Sequence, residues 1–384
     1  MIHIAWLGKK TPFCGNVIYG LSTTEALRDR GYQISFIHFD NPISPKNKHT
    51  SLIANDPEVS LPYLVKSQVY TIPSPRAQRE LRESLERLKP DIIHASLTLS
   101  PLDFRLPELC NQINVPLVGT FHPPFDASIR NLTAGTQQLT YQLYAPSLAK
   151  FDKVIVFSDK QAEVLIKLGV KENRLTTIPN GIDTELWKPF EEGNESKHYK
   201  EIRNRLGSER IFLYMGRIAT EKNIETLLRA WRHIQPKGCK LVIVGDGPLR
   251  QTLEANSISS VDSDILWWGY EANLEIKIAL LQCAEVFILP SLVEGLSLAL
   301  LEAMATGTAC IATDAGADGE VLEDGAGIII STQGVTTQLK TLLPLLRDQR
   351  VLTSELGRRA RERVLERYTL THNIDSLEKL YKVL

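Results

Sequence analysis

Two successive series of short β-branched runs, separated by amphipathic helical stretches, constrain this chain more than any other feature. IHIAWL, ISFIHF, DIIHAS, PLVGTF and KVIVFS make the first series. RIFLYMG, KLVIVG, ILWWG, VFILP, ACIAT and AGIII make the second, a candidate for a six-stranded sheet. Between them, segments such as NIETLLRAWRHI repeat apolar residues at helical spacing. Strands joined through helices pair in parallel, because each crossover returns the chain to the same end of the sheet. The two series meet at TTIPNGIDTELWKPF, where Pro179, Asn180, Gly181 and Pro189 interrupt the pattern. The expected organisation is therefore two α/β domains, residues 1–178 and 179–368, with a helical tail about 369–384 packing back on the first. A helix is expected from about Val17 to Arg30, ended by Gly31, and a charged one over 75–89. Residues 41–70, with Pro42, Pro45, Pro57 and Pro62, read mostly as loop.

Length agrees: 384 residues exceed one ordinary core. A formal charge of -1 gives no global attraction to nucleic acid or anionic lipid. The five cysteines form no CxxC pair, and their odd number argues against a disulfide framework or cysteine zinc site. The apolar stretch before Lys9 is too short for a signal peptide, and no uninterrupted run is long enough to span a bilayer. The expected location is cytoplasmic, with any membrane contact peripheral. There is no GxGxxG after the first strand and no GxxxxGK[ST], which argues against a typical NAD fold and a P-loop NTPase.

In open α/β sheets ligands bind beyond the carboxyl ends of strands, so the loops there carry the chemistry. In SLVEGLSLALLEAMATG, Glu294 follows a strand and Ser297 is a plausible N-cap. Glu302 lies in an otherwise apolar helix, where a carboxylate is costly without a partner. It either bonds a neighbouring backbone or basic group, or accepts ligand hydroxyls. The N–H groups of Gly295, Leu296 and Ser297 suit an anion, aided by the helix dipole. In GRIATEKN, Arg217 and Lys222 offer a forked donor and a point charge, which suit a diphosphate. The plainer alternative is a solvated loop with Glu221 in an ion pair. His122, in GTFHPPFD, is an acid, a hydrogen-bond donor or simply packed. Gly15 could let backbone approach a phosphate, with Asn16 beside it, and Gly245 lies in the tight turn GDGP.

Together these segments resemble the retaining family 4 glycosyltransferases of the GT-B fold. Glu294 and Glu302 match that family's E-x7-E spacing, with GRIATEK, VGDGP, IPNGID and GTFHPPF in the expected order. The resemblance covers nearly the whole chain. It implies two facing Rossmann-like domains with an interdomain cleft that holds a nucleotide-sugar. Arg217 and Lys222 would bind the donor diphosphate, Glu302 the ribose, and Glu294 the hydroxyls of the transferred sugar. Gly15 and Asn16 would lie on the phosphate side, His122 would face the reacting sugar, and the base would rest near Tyr270. Two departures loosen the phosphate loops: Cys14-Gly15-Asn16 where the family often has Gly-Gly, and Asn223 where it often has Gly after EK. MIHIAWLGKKTPFCGN, HASLTLSPLDF and PSLVEGLSLALLEAM are further similar to a cyanobacterial group that includes the digalactosyldiacylglycerol synthase. That narrower likeness implies UDP-galactose as donor, a glycolipid acceptor and peripheral membrane contact.

No second carboxylate is obviously placed as a nucleophile, so same-face attack, as proposed for the family, is expected. No DxD-type metal site is apparent, and two cations can replace a metal, so metal-independent activity without a cofactor is expected. The segments over 41–70, with Lys46, Lys48, Leu61, Tyr63 and Leu64, and LTYQLYAPSLAKF either dock on lipid or serve as core and acceptor loops. Competing readings are a soluble sugar or polysaccharide acceptor, a non-catalytic nucleotide-sugar-binding module, and an epimerase on the same fold.

Overall fold

The structure, a computed structural model, describes residues 2–11, 14–40, 57–67, 69–97, 99–193, 195–207, 209–256 and 262–384. Pro42, Pro45, Lys46 and Lys48, singled out in the sequence, lie outside the described residues. The chain divides into two compact units. The first comprises Met1–Pro123, Leu139–Pro179 and Asn373–Leu384; the second comprises Pro124–Gln138 and Asn180–His372.

The first unit carries strands β1 (His3–Leu7), β2 (Gln33–Phe39), β3 (Glu58–Leu61), β4 (Tyr63–Lys66), β5 (Thr71–Pro73), β6 (Ile92–Ser96), β7 (Leu117–Thr120), β8 (Lys153–Val156) and β9 (Leu175–Thr177). Seven of them form one parallel sheet in the order β3-β2-β1-β6-β7-β8-β9. β4 and β5 make a separate antiparallel pair. The central strands are buried throughout, because helices cover both faces of such a sheet. The helix Gly15–Asp29 follows β1 and ends at Gly31, whose φ of 85° is the left-handed conformation that stops a helix. The loop expected over 57–66 is instead β3 and β4. In β3 only Val59 and Leu61 point inward, and two inward residues are too few to reveal a period of two. The three-residue edge strand β9, LTT, lacks a run of apolar residues and escapes sequence reading too.

Beneath the centre of this sheet lies a buried polar chain. His94, fully buried on β6, meets Tyr381 Oη through Nδ1 at 2.5 Å and Thr120 Oγ1 through Nε2 at 2.7 Å. Tyr381 belongs to the last helix, Leu370–Tyr381, so this bond ties the chain's end to the central strands. Asn373 Nδ2 donates to Pro179 O (2.7 Å), and Arg30 pairs with Asp375 and Glu378.

The second unit carries β10 (Arg210–Met215), β11 (Cys239–Val244), β12 (Ile265–Gly269), β13 (Val286–Leu289), β14 (Ala309–Thr313) and β15 (Ile328–Ile330), the six strands expected from the sequence. All are parallel, in the order β12-β11-β10-β13-β14-β15. The order reverses between β10 and β13. Successive crossovers leave that pair in opposite directions, so their carboxyl-end loops diverge and open a crevice. The apolar face of helix Ile224–Ile234 seals the sheet, with Trp231 edge-on to Phe212 of β10. The chain ends in three helices, Val335–Asp348, Arg350–Arg367 and Leu370–Tyr381, with a break at Tyr368. Both units are thus Rossmann-like. No helix among the described residues is long and apolar enough to cross a membrane.

Tyr381→Phe removes one partner of the buried His94 and strands its Nδ1. We expect a loss of about 1–3 kcal/mol in urea-unfolding free energy, the cost of an unsatisfied buried polar group.

Candidate active site

The crevice between β10 and β13 brings Arg217, Glu221, Lys222 and Glu294 of the second unit together. From the end of β10, Gly216–Arg217–Ile218 leads into a single turn, Thr220–Lys222. From the end of β13, Pro290–Ser291–Leu292–Val293–Glu294 leads to the helix Leu298–Ala305. Lys222 Nζ meets Glu294 Oε1 at 2.5 Å, and Ser291 Oγ donates to the same oxygen at 2.6 Å. Glu294 is only 6% exposed, so the carboxylate depends on these two partners. Arg217 is more open and carries a longer contact to Glu221, 3.3 Å. Its guanidinium can therefore turn to an incoming anion at small cost.

Backbone contacts fix both loops. Ile218 N donates to Asp246 O, Leu249 N to Ile218 O, and Tyr214 Oη to Arg217 O. Gly245 has φ 137°, and a Cβ there would stand 1.8 Å from Gly216 O. Its glycine thus permits two strand ends to touch, and the structure gives it this packing duty. Asn223 accounts for one departure from the family pattern. It adopts φ 54° and ψ 33°, the left-handed conformation that glycine favours and asparagine tolerates. Its Nδ2 then donates to Pro290 O (3.1 Å), bolting the Lys222 loop to the end of β13. Leu292 N donates to Glu221 O (2.8 Å) across the same gap.

Ser297 caps its helix as expected, its hydroxyl accepting from Leu300 N at 3.3 Å. Its own N–H, expected to await an anion, is occupied: Asp318 Oδ1 accepts from it at 2.9 Å. Asp318 is fully buried, and its Oδ2 finds no partner among the described residues. Burial and the neighbouring Glu294 push this carboxyl well above the usual range. The loop bearing it is clamped by Ala317 N donating to Gly295 O (2.8 Å), and a Cβ on Gly316 (φ 59°) would stand 2.0 Å from Glu294 O. The Leu296 carbonyl accepts from Asn180 Nδ2 at 3.4 Å. The segment Pro124–Gln138 adds Phe125, whose N–H donates to Glu294 O (2.9 Å), and Arg130, held between Asp126 and Asp314.

The Glu302 carboxylate makes no hydrogen bond or ion pair among the described residues, and Thr306 Oγ1 donates to the backbone oxygen of Glu302 (3.2 Å). Burial in its apolar helix raises its carboxyl to about 8, with Lys277 opposing the shift. Tyr270 stands 61% exposed just past β12, on the same carboxyl edge and two strands from β10, roughly 10 Å of sheet. Arg217, Lys222, Gly245, Tyr270, Glu294, Gly295, Leu296, Ser297 and Glu302 therefore all belong to the second unit.

Gly15, Asn16 and His122 belong to the first unit, at the carboxyl ends of β1 and β7 and the helix that follows β1. Asn16 turns its side chain inward, bonding Leu97 O (3.2 Å) and Ser96 Oγ (3.0 Å). His122 lies edge-on to Tyr19 and meets Ser96 Oγ through Nε2 at 2.8 Å. Burial and the positive Lys9 lower its ring to about 3, so the imidazole is neutral at physiological pH. Sequence reading missed Ser96, Ser291 and Asp318. Ser96 ends β6, Ser291 lies in the loop after β13 and Asp318 opens the short helix Asp318–Val321, and only tertiary proximity gives them a role.

Residues 15–186 match Glycosyltransferase Family 4, and residues 209–348 match Glycosyl transferases group 1. Two successive parts of the chain thus each match a glycosyltransferase domain. It is 25% identical over 310 residues to the UDP-Gal:alpha-D-GlcNAc-diphosphoundecaprenol alpha-1,3-galactosyltransferase of Escherichia coli, covering 78% of this chain and 77% of that protein. It is 29% identical over 255 residues to the alpha-monoglucosyldiacylglycerol synthase of Streptococcus pneumoniae, covering 62% of this chain and 55% of that protein. The match spans 41% of the length of the putative glycosyltransferase EpsF of Bacillus subtilis and 93% of that of the N-acetyl-alpha-D-glucosaminyl L-malate synthase of Bacillus anthracis. Among solved structures, HepE of Anabaena in complex with UDP and glucose superposes with a TM-score of 0.78 at 15% identity, over 100% of both chains, which establishes the shared fold.

Lys222→Met and Glu294→Gln, made singly and together, should show coupling of at least about 1.5 kcal/mol in unfolding free energy, because each single change strands a partly buried partner. Additive effects would mean that the pair is not formed.

Proposed function

We propose that the chain is a retaining hexosyltransferase that takes its sugar from a nucleotide-sugar, with UDP-galactose as donor and a glycolipid, monogalactosyldiacylglycerol, as acceptor. The observation that carries the reading is the set of Arg217, Lys222 and Glu294 at the strand-order reversal of the second unit. A hydroxyl-rich ligand joined to a diphosphate is what such a set is built to hold. The two cations take the leaving diphosphate and stabilise the charge that grows there as the glycosidic bond breaks. Glu294, bonded to Lys222, then accepts from the transferred sugar's hydroxyls. Glu302 takes the ribose, and Tyr270 lies along the edge where a base extends. The UDP and glucose named for HepE, and the UDP-Gal named for the Escherichia coli relative, favour this donor class.

Same-face attack is favoured by the engagement of the carboxyls. Asp318 is fully buried with its Oδ1 bonded to Ser297 N–H, and Glu294 Oε1 is bonded to Lys222 and Ser291. In this scheme the departing phosphate oxygen accepts the acceptor's proton, His122 contacts the sugar, and Arg217 and Lys222 do the work a metal would do. For the acceptor, the first unit offers apolar side chains that water would not favour. Leu64 is 65% exposed, Val69 50% and Tyr70 46% in and beside the β4–β5 pair, and Leu139 and Leu143 are each 64% exposed. They favour a lipid-bearing acceptor and peripheral contact with a membrane, in keeping with the diacylglycerol named for the Streptococcus pneumoniae relative.

The test is transfer from labelled UDP-galactose and UDP-glucose to monogalactosyldiacylglycerol in mixed micelles, with lipid-free controls and with EDTA. We expect a digalactosyl lipid with an α linkage, activity unchanged by EDTA, and a loss of about 100-fold or more in Arg217→Ala and Lys222→Ala. Loss of activity in EDTA would defeat the metal-free scheme. Donor hydrolysis that depends on Glu294, without lipid product, would instead direct the sugar to a soluble acceptor.

A further inference from the structure

His122 is an acid, a donor or an acceptor according to which ring nitrogen carries the proton. The hydrogen bonds behind it decide between these. Asn16 points one end of its amide at Leu97 O, 3.2 Å away. A carbonyl oxygen only accepts, so that end is Nδ2 and the other is Oδ1. Ser96 Oγ lies 3.0 Å from Oδ1 and donates to it. A hydroxyl has one proton, and Ser96 has now used it. Ser96 Oγ also lies 2.8 Å from His122 Nε2, and toward that nitrogen it has only lone pairs to offer. Nε2 must therefore be the protonated nitrogen. His122 Nδ1 has no hydrogen-bond partner among the described residues and is not among their sealed, unsatisfied polar atoms.

We propose that Asn16 and Ser96 are positioning residues that lock His122 in the Nε2–H tautomer, leaving Nδ1 as a hydrogen-bond acceptor for a hydroxyl of the transferred sugar. The chain runs in one direction: His122 N–H to Ser96, Ser96 O–H to Asn16, Asn16 N–H to the Leu97 carbonyl. It ends on an atom that cannot reverse it. His122 is then neither an acid nor a donor toward the sugar. Burial, reinforced by the positive Lys9, keeps the ring from taking a second proton that would cover Nδ1. Tyr19 and Phe157 pack against the ring and hold its plane. The identity of the ligand rests on the glycosyltransferase reading above; the tautomer does not. Asn16, expected to serve the donor phosphates, acts in this scheme through His122.

Long-range 1H–15N correlation on the full chain labelled with 15N-histidine reads the tautomer directly, with His122→Gln identifying the signals. In the wild type, His122 Nε2 should give a pyrrole-type shift and Nδ1 a pyridine-type shift, unchanged from pH 8 to pH 5. Asn16→Ala frees the Ser96 proton to turn toward Nε2, and Ser96→Ala removes the acceptor. Both should move the signals toward the Nδ1–H form, which a purely structural role would not do. In the transfer assay, His122→Gln keeps a donor for Ser96 but has no acceptor at Nδ1, whereas His122→Asn places an oxygen there. We expect His122→Gln to lose about tenfold to a hundredfold in kcat and His122→Asn to lose less. A protonated Nδ1 in the wild type, or signals unmoved in both Asn16→Ala and Ser96→Ala, would overturn the tautomer. Full activity in His122→Gln would overturn the acceptor role. If the wild type turns over no donor, the functional reading fails while the spectrum still decides the tautomer.

Discussion

Everything proposed for the second unit depends on the reversal of strand order between β10 and β13. It places a cation-bearing loop and a carboxylate-bearing loop side by side with no strand between them. Once adjacent, Lys222 and Glu294 need each other, because a carboxylate that is 6% exposed is costly alone. The same pair gives the site its dual character. One face presents positive charge for phosphate, and the other presents an acceptor for hydroxyls.

Holding those groups in place falls to backbone contacts at special conformations. Gly245 and Gly316 bring main chain to within distances that a Cβ would occupy, and Asn223 supplies a left-handed turn together with a bond to Pro290 O. The result is a crevice whose walls are stitched on three sides: to the β11 loop, to the β14 loop, and to Phe125 and Arg130 of the segment Pro124–Gln138. Asp318 completes it by capping the Ser297 N–H with its Oδ1. A phosphate arriving at that helix end thus meets a donor already in use, and Lys222 and Arg217 carry correspondingly more of the anion's charge.

The fold was legible in the sequence where the pattern was long. Six apolar runs in the second half announced six strands, and Ser297 before LALLEAM announced a cap. Legibility failed where an edge strand lacks a run of apolar residues. β3 is EVSL and β9 is LTT, whereas the equally short edge strand β15 is III. For the site, Arg217, Lys222 and Glu294 stood out because charge follows a buried strand, and the structure brings the last two together. Ser96, Ser291 and Asp318 carried no such mark. Nothing local distinguishes a serine that orients a histidine 26 positions away, or an aspartate that caps a helix 21 positions earlier.

The central claim is that the β10–β13 crevice binds a nucleoside diphosphate through Arg217 and Lys222. Calorimetric titration of UDP into the wild type and into Arg217→Ala and Lys222→Ala, with EDTA present, tests it most directly. The account predicts saturable one-to-one binding to the wild type that weakens at least tenfold in each variant while the folded baseline is kept. Undiminished UDP binding in both variants would contradict it.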